Sequence, residues 1–79
     1  MDNQLELWAQ VNASKQRVRE TIAAELSYAF RSSPTYQAYT GLCGEAQMAF
    51  EDGTLTEALV EMLAEYASKV CALWAIGAR

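Results

Sequence analysis

One segment, residues 55–76, constrains the fold of this chain more than any other. Sixteen of its 22 residues are apolar, and five of the other six fall on one narrow strip: Glu57, Glu61, Glu65, Ser68 and Lys69. A helix that is apolar around most of its circumference must be covered on more than one side. We therefore predict a helix over residues 55–76, opened by a capping box in which Thr54 and Glu57 satisfy each other's backbone amides.

The apolar residues of this helix form two adjacent stripes. The first contains Leu59, Met62, Leu63, Tyr66, Val70 and Leu73, and the second contains Val60, Ala64, Ala67, Cys71 and Trp74. A chain of 79 residues has little core in which to bury two Trp, four Tyr and two Phe,. Self-association would cover the remainder, so we expect a homodimer. The predicted dimer contacts are Trp8, Val60, Cys71 and Trp74.

Residues 3–31 are predicted to form one long helix. Its apolar residues recur at spacings of three, four or seven: Leu5, Trp8, Val11, Val18, Ile22, Leu26 and Phe30,. A helix of 29 residues is about 43 Å long, which exceeds the size of a compact domain of this length. We therefore expect the first helix to overhang the rest of its own chain, with a second subunit covering the overhang.

A second helix is predicted over residues 34–52. Ser33 followed by Pro34 is a typical helix start, and Gly53 is a typical left-handed stop. Gly41 and Gly44 lie in its middle, where each costs about 1 kcal/mol relative to alanine. They either break the helix or allow a neighbouring backbone to approach closely, and the continuing apolar spacing favours close approach. The expected fold is all-α: a single-domain, antiparallel three-helix bundle with helices over residues 3–31, 34–52 and 55–76.

The composition argues against nucleic acid and membranes as binding partners. The net charge of −4 and the pI near 4.6 oppose a nucleic-acid partner, because such proteins usually carry a basic patch,. The charged residues within the most apolar segment oppose a membrane span. The first residues lack the basic and apolar regions of a signal peptide, so we expect a cytoplasmic location.

The chain also lacks the usual catalytic residues. It contains no histidine, the commonest general base and metal ligand,. Cys43 and Cys71 are too few for a tetrahedral zinc site. In a hairpin they would lie about 12 Å apart along the helix axes, too far for a disulfide, so we expect two reduced thiols. We predict no enzymatic activity, no metal and no cofactor.

Two surfaces are candidates for binding a partner. Glu57, Glu61 and Glu65 recur every four residues and line one strip. That strip is either a solvated face paired with Lys15 and Arg19, or a docking site for a basic partner. Tyr36 and Tyr39, near the Pro34 turn, are either core residues or anchors of an interface.

These features predict a non-enzymatic regulator or inhibitor that masks a site on a larger protein partner. By analogy, small acidic helical chains of this kind suit accessory proteins of phages or other mobile elements. One alternative is a secretion or assembly chaperone, whose apolar helix face would shield a client helix. Another is an acidic nucleic-acid mimic, whose carboxylates would imitate phosphates.

Overall fold

The computed structural model describes residues 3–22 and 27–77, and within these ranges the chain is helical with no strand. The four helices are α1 (Asn3–Thr21), α2 (Tyr28–Arg31), α3 (Pro34–Asp52) and α4 (Glu57–Ala75). All four contribute side chains to one hydrophobic cluster. None of these helices is long and apolar enough to cross a membrane.

Contacts between helices fix their directions. Gln4 exchanges two hydrogen bonds with the backbone of Leu55, at 2.8 and 2.9 Å, and Arg17 donates to the Ser68 hydroxyl at 2.8 Å. Both pairs are 51 positions apart, so α1 and α4 run in the same direction. The Trp8 ring stacks on that of Phe50, with centroids 4.6 Å apart, which places the start of α1 beside the end of α3. Helix α3 therefore runs opposite to the other two.

Helix α4 packs against both α1 and α3. Its buried residues point to the space between those two helices: Val60, Leu63, Ala67, Val70, Cys71 and Trp74. The cover that the sequence requires on more than one side of this helix is thus supplied by its own chain.

Local signals define both ends of α3. The Ser33 hydroxyl accepts from the Tyr36 amide at 3.3 Å, Pro34 occupies the first turn, and Gly53 ends the helix with φ of 73°. These bounds are the same as those that the sequence predicts. Cys43 and Cys71 are both free thiols, also as expected.

The predicted capping box at Thr54 is wrong, because Thr54 belongs to the end of α3. Its amide donates to the Ala49 carbonyl at 2.7 Å, and its hydroxyl donates to the same oxygen at 3.4 Å. Thr56 caps α4 instead, accepting from the Leu59 amide at 3.2 Å, so α4 begins at Glu57.

The prediction of one helix over residues 3–31 is also wrong. Helix α1 ends at Thr21, and Ser27 has an extended backbone with ψ of 157°. The Ser27 hydroxyl accepts from the Phe30 amide at 3.1 Å and so starts α2. Leu26, which belongs to the predicted apolar stripe, lies outside the described residues.

The end of α4 gives the physical reason for the interruption. In the register set by Gln4 and Leu55, residue 24 would be level with the last residue of α4. A straight helix would carry Phe30 about 9 Å past that point, at ~1.5 Å per residue. Phe30 is instead 1% exposed, with its ring centroid 5.2 Å from that of Trp74. Burying a phenylalanine contributes about 1.5–3 kcal/mol, which favours the folded-back chain.

The interruption removes the predicted overhang and changes the buried face. Helix α1 has 19 residues, as do α3 and α4. Leu7 and Val11 are buried, whereas Leu5 is 59% exposed. Leu5 is two residues from Leu7 and lies about 200° around the helix, which turns it to the solvent side.

Gly41 and Gly44 do not permit a close approach within the chain. Helix α3 continues through both glycines without a break, but a Cβ atom added at either position would meet nothing within 4 Å. The predicted reason for these glycines is therefore wrong, and the space beside them is open.

Replacing either glycine with alanine is expected to stabilise the protein. Alanine in a helix interior is favoured over glycine by about 1 kcal/mol, and no clash offsets that gain,. For a domain of this size Tm should rise by about 4–8 °C for each substitution. Thermal unfolding followed by circular dichroism measures the change. An unchanged or lower Tm would show that these glycines serve the folded chain in a way that its packing does not reveal.

Candidate protein-binding surface

The acidic strip lies on the outer face of α4. Glu57, Glu61 and Glu65 are all exposed. Glu65 forms an ion pair with Lys69, with 3.5 Å between Oε1 and Nζ, and both side chains are more than half exposed. Such a pair contributes only about 0.3–0.5 kcal/mol. Within the described ranges no ion pair joins Glu57 or Glu61 to a basic residue, so most of the strip's charge faces solvent.

Within the described ranges, no basic residue of α1 forms an ion pair with the glutamates of this strip, although Arg17 reaches its edge by donating to the Ser68 hydroxyl. The Lys15 ammonium lies 5.8 Å from the centroid of the Trp8 ring, and the Arg19 guanidinium donates to Gln16 at 3.2 Å. The predicted pairing of the strip with Lys15 and Arg19 is therefore wrong. A solvated face and a docking site are the two roles left for the strip.

The two tyrosines pack rather than form an exposed patch. Tyr39 is buried and Tyr36 is half-buried, with their ring centroids 6.2 Å apart. The Tyr36 ring also lies 5.6 Å from that of Phe30. Burial raises the pKa of the Tyr39 hydroxyl well above its usual range, and a hydrogen bond with Cys43 raises it further. A buried neutral phenol offers little to a partner.

The residues predicted as dimer contacts are covered within one chain. Val60, Cys71 and Trp74 are buried in the core, and Trp8 is half-buried against Phe50. Because these side chains are covered within a single chain, they do not need a second copy to shield them from water.

An open groove runs between α3 and α4, on the side away from α1. Its volume is about 320 Å³, and it is lined by Ala38, Gly41, Leu42, Glu45, Met62 and Tyr66. Met62 is 47% exposed, although it belongs to the first predicted apolar stripe. Because Gly41 has no side chain, the wall that α3 contributes to the groove is low at this position.

The groove and the acidic strip share a border. Glu65 follows Met62 by three residues, so the two side chains lie on the same side of α4. Glu45 lines the groove from α3. The nearby Lys69 is engaged by Glu65, and its ammonium lies 4.7 Å from the centroid of the Tyr66 ring. The result is an apolar channel with carboxylates from both helices along its edges.

Sequence reasoning identified the strip but missed the groove. The sequence predicts that Met62 belongs to an apolar stripe of α4, but apolar spacing does not show which part of that stripe the neighbouring helices leave uncovered. The sequence contains one signal for the groove. Gly41 disfavours a helix, and no close contact within the chain requires a glycine at this position,.

The geometry suits the binding of another molecule along a helical surface. Residues 3–22 and 27–77 contain no cluster of three side chains able to hold a metal ion. The chain matches no protein-family model, no curated protein and no solved structure.

Proposed function

We propose that this protein is a non-enzymatic regulator or inhibitor that binds a larger protein partner and masks a site on it. In this proposal α1, α3 and α4 act as an antiparallel three-helix bundle, and α2 covers one end. The observation that carries the proposal is the exposed acidic strip of α4, whose glutamates form no ion pair with α1 among the described residues and which borders an open apolar groove.

The strip and the groove have complementary roles. Exposed charges of one sign speed and orient the encounter with an oppositely charged surface. Apolar residues beside them, above all Met62 and Tyr66, provide the contact area that holds the complex. The masked site on the partner is therefore expected to be basic.

Reversing the strip's charge is expected to weaken binding to the partner. After affinity capture identifies the partner from the native host, its Kd is measured at low and high salt. The double variant Glu61→Lys with Glu65→Lys should bind at least about tenfold more weakly at low salt, because attraction becomes repulsion. The difference should shrink at high salt, where exposed charges are screened.

A matched control distinguishes an effect of the strip on binding from an effect of net charge alone. The double variant Glu20→Lys with Glu51→Lys makes the same change in net charge on α1 and α3, where both residues are exposed and lie outside the strip and the groove lining. Its affinity should stay within about threefold of the wild type, since neither altered charge belongs to the proposed contact. Equal binding by the strip variant and the wild type at low salt would refute the proposal.

The chaperone alternative has less support from the packing. It requires a broad apolar face on α4 for a client helix, but most of that face packs against α1 and α3. Among its large apolar residues only Met62 and Ile76 are exposed.

A homodimer and a cytoplasmic location stay predictions. The dimer would have to use surfaces other than the buried Val60, Cys71 and Trp74. Light scattering distinguishes the 8.7 kDa chain from a particle of twice that mass.

A further inference from the structure

The geometry points to a specific occupant of the α3–α4 groove: a basic amphipathic helix of the partner. This inference rests on the proposed function and names the chemistry of the partner segment. Apolar side chains of that helix would enter the groove between Gly41 and Met62, and its lysine or arginine residues would face Glu45 and Glu65.

The dimensions of the groove match a short helical contact. Its lining on α3 extends from Ala38 to Glu45, which is about 10 Å at ~1.5 Å per residue,. That length equals two turns, the span of anchors spaced i, i+3 or i+4, and i+7 on a docked helix. A volume of about 320 Å³ lies at the small end of ligand pockets, and the groove is open rather than enclosed,.

Gly41 has a role in this complex that it lacks in the free protein. Glycine disfavours a helix relative to alanine, and the space beside Gly41 is empty,. A docked helix can therefore approach the α3 backbone more closely at Gly41 than beside any larger residue. The surrounding contacts suit an adaptable interface, because methionine fits partners of varied shape and tyrosine is a frequent anchor.

Charge selects a basic helix over a second copy of this chain. At the groove itself, Glu45 and Glu65 supply two negative charges and Lys69, which pairs with Glu65, supplies one positive charge, so the edge of the groove is net acidic. A symmetric dimer through the groove would bring Glu45 and Glu65 close to their own counterparts, where like charges repel. A helix that carries lysine or arginine beside its apolar face meets the same carboxylates with attraction.

Two matched variants test this inference on the full chain. Gly41→Phe places a large side chain in the groove, whereas Gln47→Phe places the same side chain on the exposed face of α3 opposite the groove lining. A Cβ at position 41 meets nothing within 4 Å and Gln47 is already exposed, so both variants should fold, which circular dichroism verifies. The probes are two 18-residue amphipathic peptides, one of leucine and lysine and one of leucine and glutamate.

Fluorescence anisotropy gives the affinities, and methyl NMR gives the location. The leucine–lysine peptide should bind Gly41→Phe at least about tenfold more weakly than the wild type, and it should bind Gln47→Phe within about twofold of the wild type. The Met62 methyl signal should shift, and the methyl signals of Leu5, which is exposed on α1, should not. The leucine–glutamate peptide should not bind.

Four results would each overturn the inference. They are no binding of the leucine–lysine peptide, equal binding by the two phenylalanine variants, equal binding of the acidic peptide, and a shift of Leu5 in place of Met62. Binding measurements with the captured partner distinguish a failure of this inference from a failure of the proposed function. If charge reversal at Glu61 and Glu65 weakens partner binding but Gly41→Phe does not, the masking function stands and docking in the groove is wrong.

Discussion

Replacing Phe30 with alanine is expected to lower the free energy of unfolding by about 3–5 kcal/mol. Phe30 is 1% exposed and contacts the rings of Trp74 and Tyr36, so its removal leaves a cavity that two rigid aromatic rings cannot easily fill. For 79 residues the total stability is roughly 4–12 kcal/mol, so the loss is a large share of it. Urea unfolding followed by circular dichroism measures the change.

Tyr28 provides the control within the same short helix. It is 85% exposed, so Tyr28→Ala should change stability by no more than about 0.5 kcal/mol,. In one straight helix over residues 3–31, Phe30 would project past α4 and lose its packing partners. Similar small effects of the two substitutions would therefore favour the straight helix and contradict the observed interruption.

Helix α3 was predictable because its signals are local. Ser33, Pro34 and Gly53 each act through the backbone of their immediate neighbours, and each does in the structure what its residue type favours. The error at Thr54 is of the same local kind. Two threonines, Thr54 and Thr56, both precede a helical pattern, and the choice between them depends on how the preceding helix closes.

The end of α1 was not predictable from local signals. Residues 22–26 read Ile-Ala-Ala-Glu-Leu, with no glycine or proline to stop a helix,. The interruption instead reflects where α4 ends and where Phe30 finds Trp74, more than forty residues further along the chain. Single-sequence periodicity contains no such information, so tertiary packing overrides propensity here.

The proposed binding surface also combines a part that local spacing predicts with a part that depends on tertiary packing. The spacing of Glu57, Glu61 and Glu65 by itself places them on one strip, and the structure leaves all three exposed. The groove depends on how closely α3 and α4 pack on the side away from α1, which neither helix reveals alone. Apolar spacing places Met62 in one stripe with Leu63 and Val70, but it does not show that Met62 is half exposed while the other two are buried.

Val60→Asp is expected to unfold the protein or to destabilise it by at least about 3 kcal/mol. Val60 is 3% exposed in the core of a single chain, and none of the buried residues in the described part of the chain is basic, so a carboxylate there would have no partner. Leaving a charge buried without a partner typically costs about 3–5 kcal/mol. Circular dichroism and sedimentation of the purified variant measure folding and mass together.

Ala64→Asp is the matched control, one turn further along α4, with the same change in charge at an exposed position. It should cost no more than about 1 kcal/mol, chiefly from lower helix propensity and nearby glutamates. The two variants also test whether Val60 is covered within its own chain or by a second copy. If Val60 were covered by a second copy, Val60→Asp would yield a folded monomer with native helix content. Loss of the fold itself, with Ala64→Asp still folded, is the result that follows from a core closed within one chain.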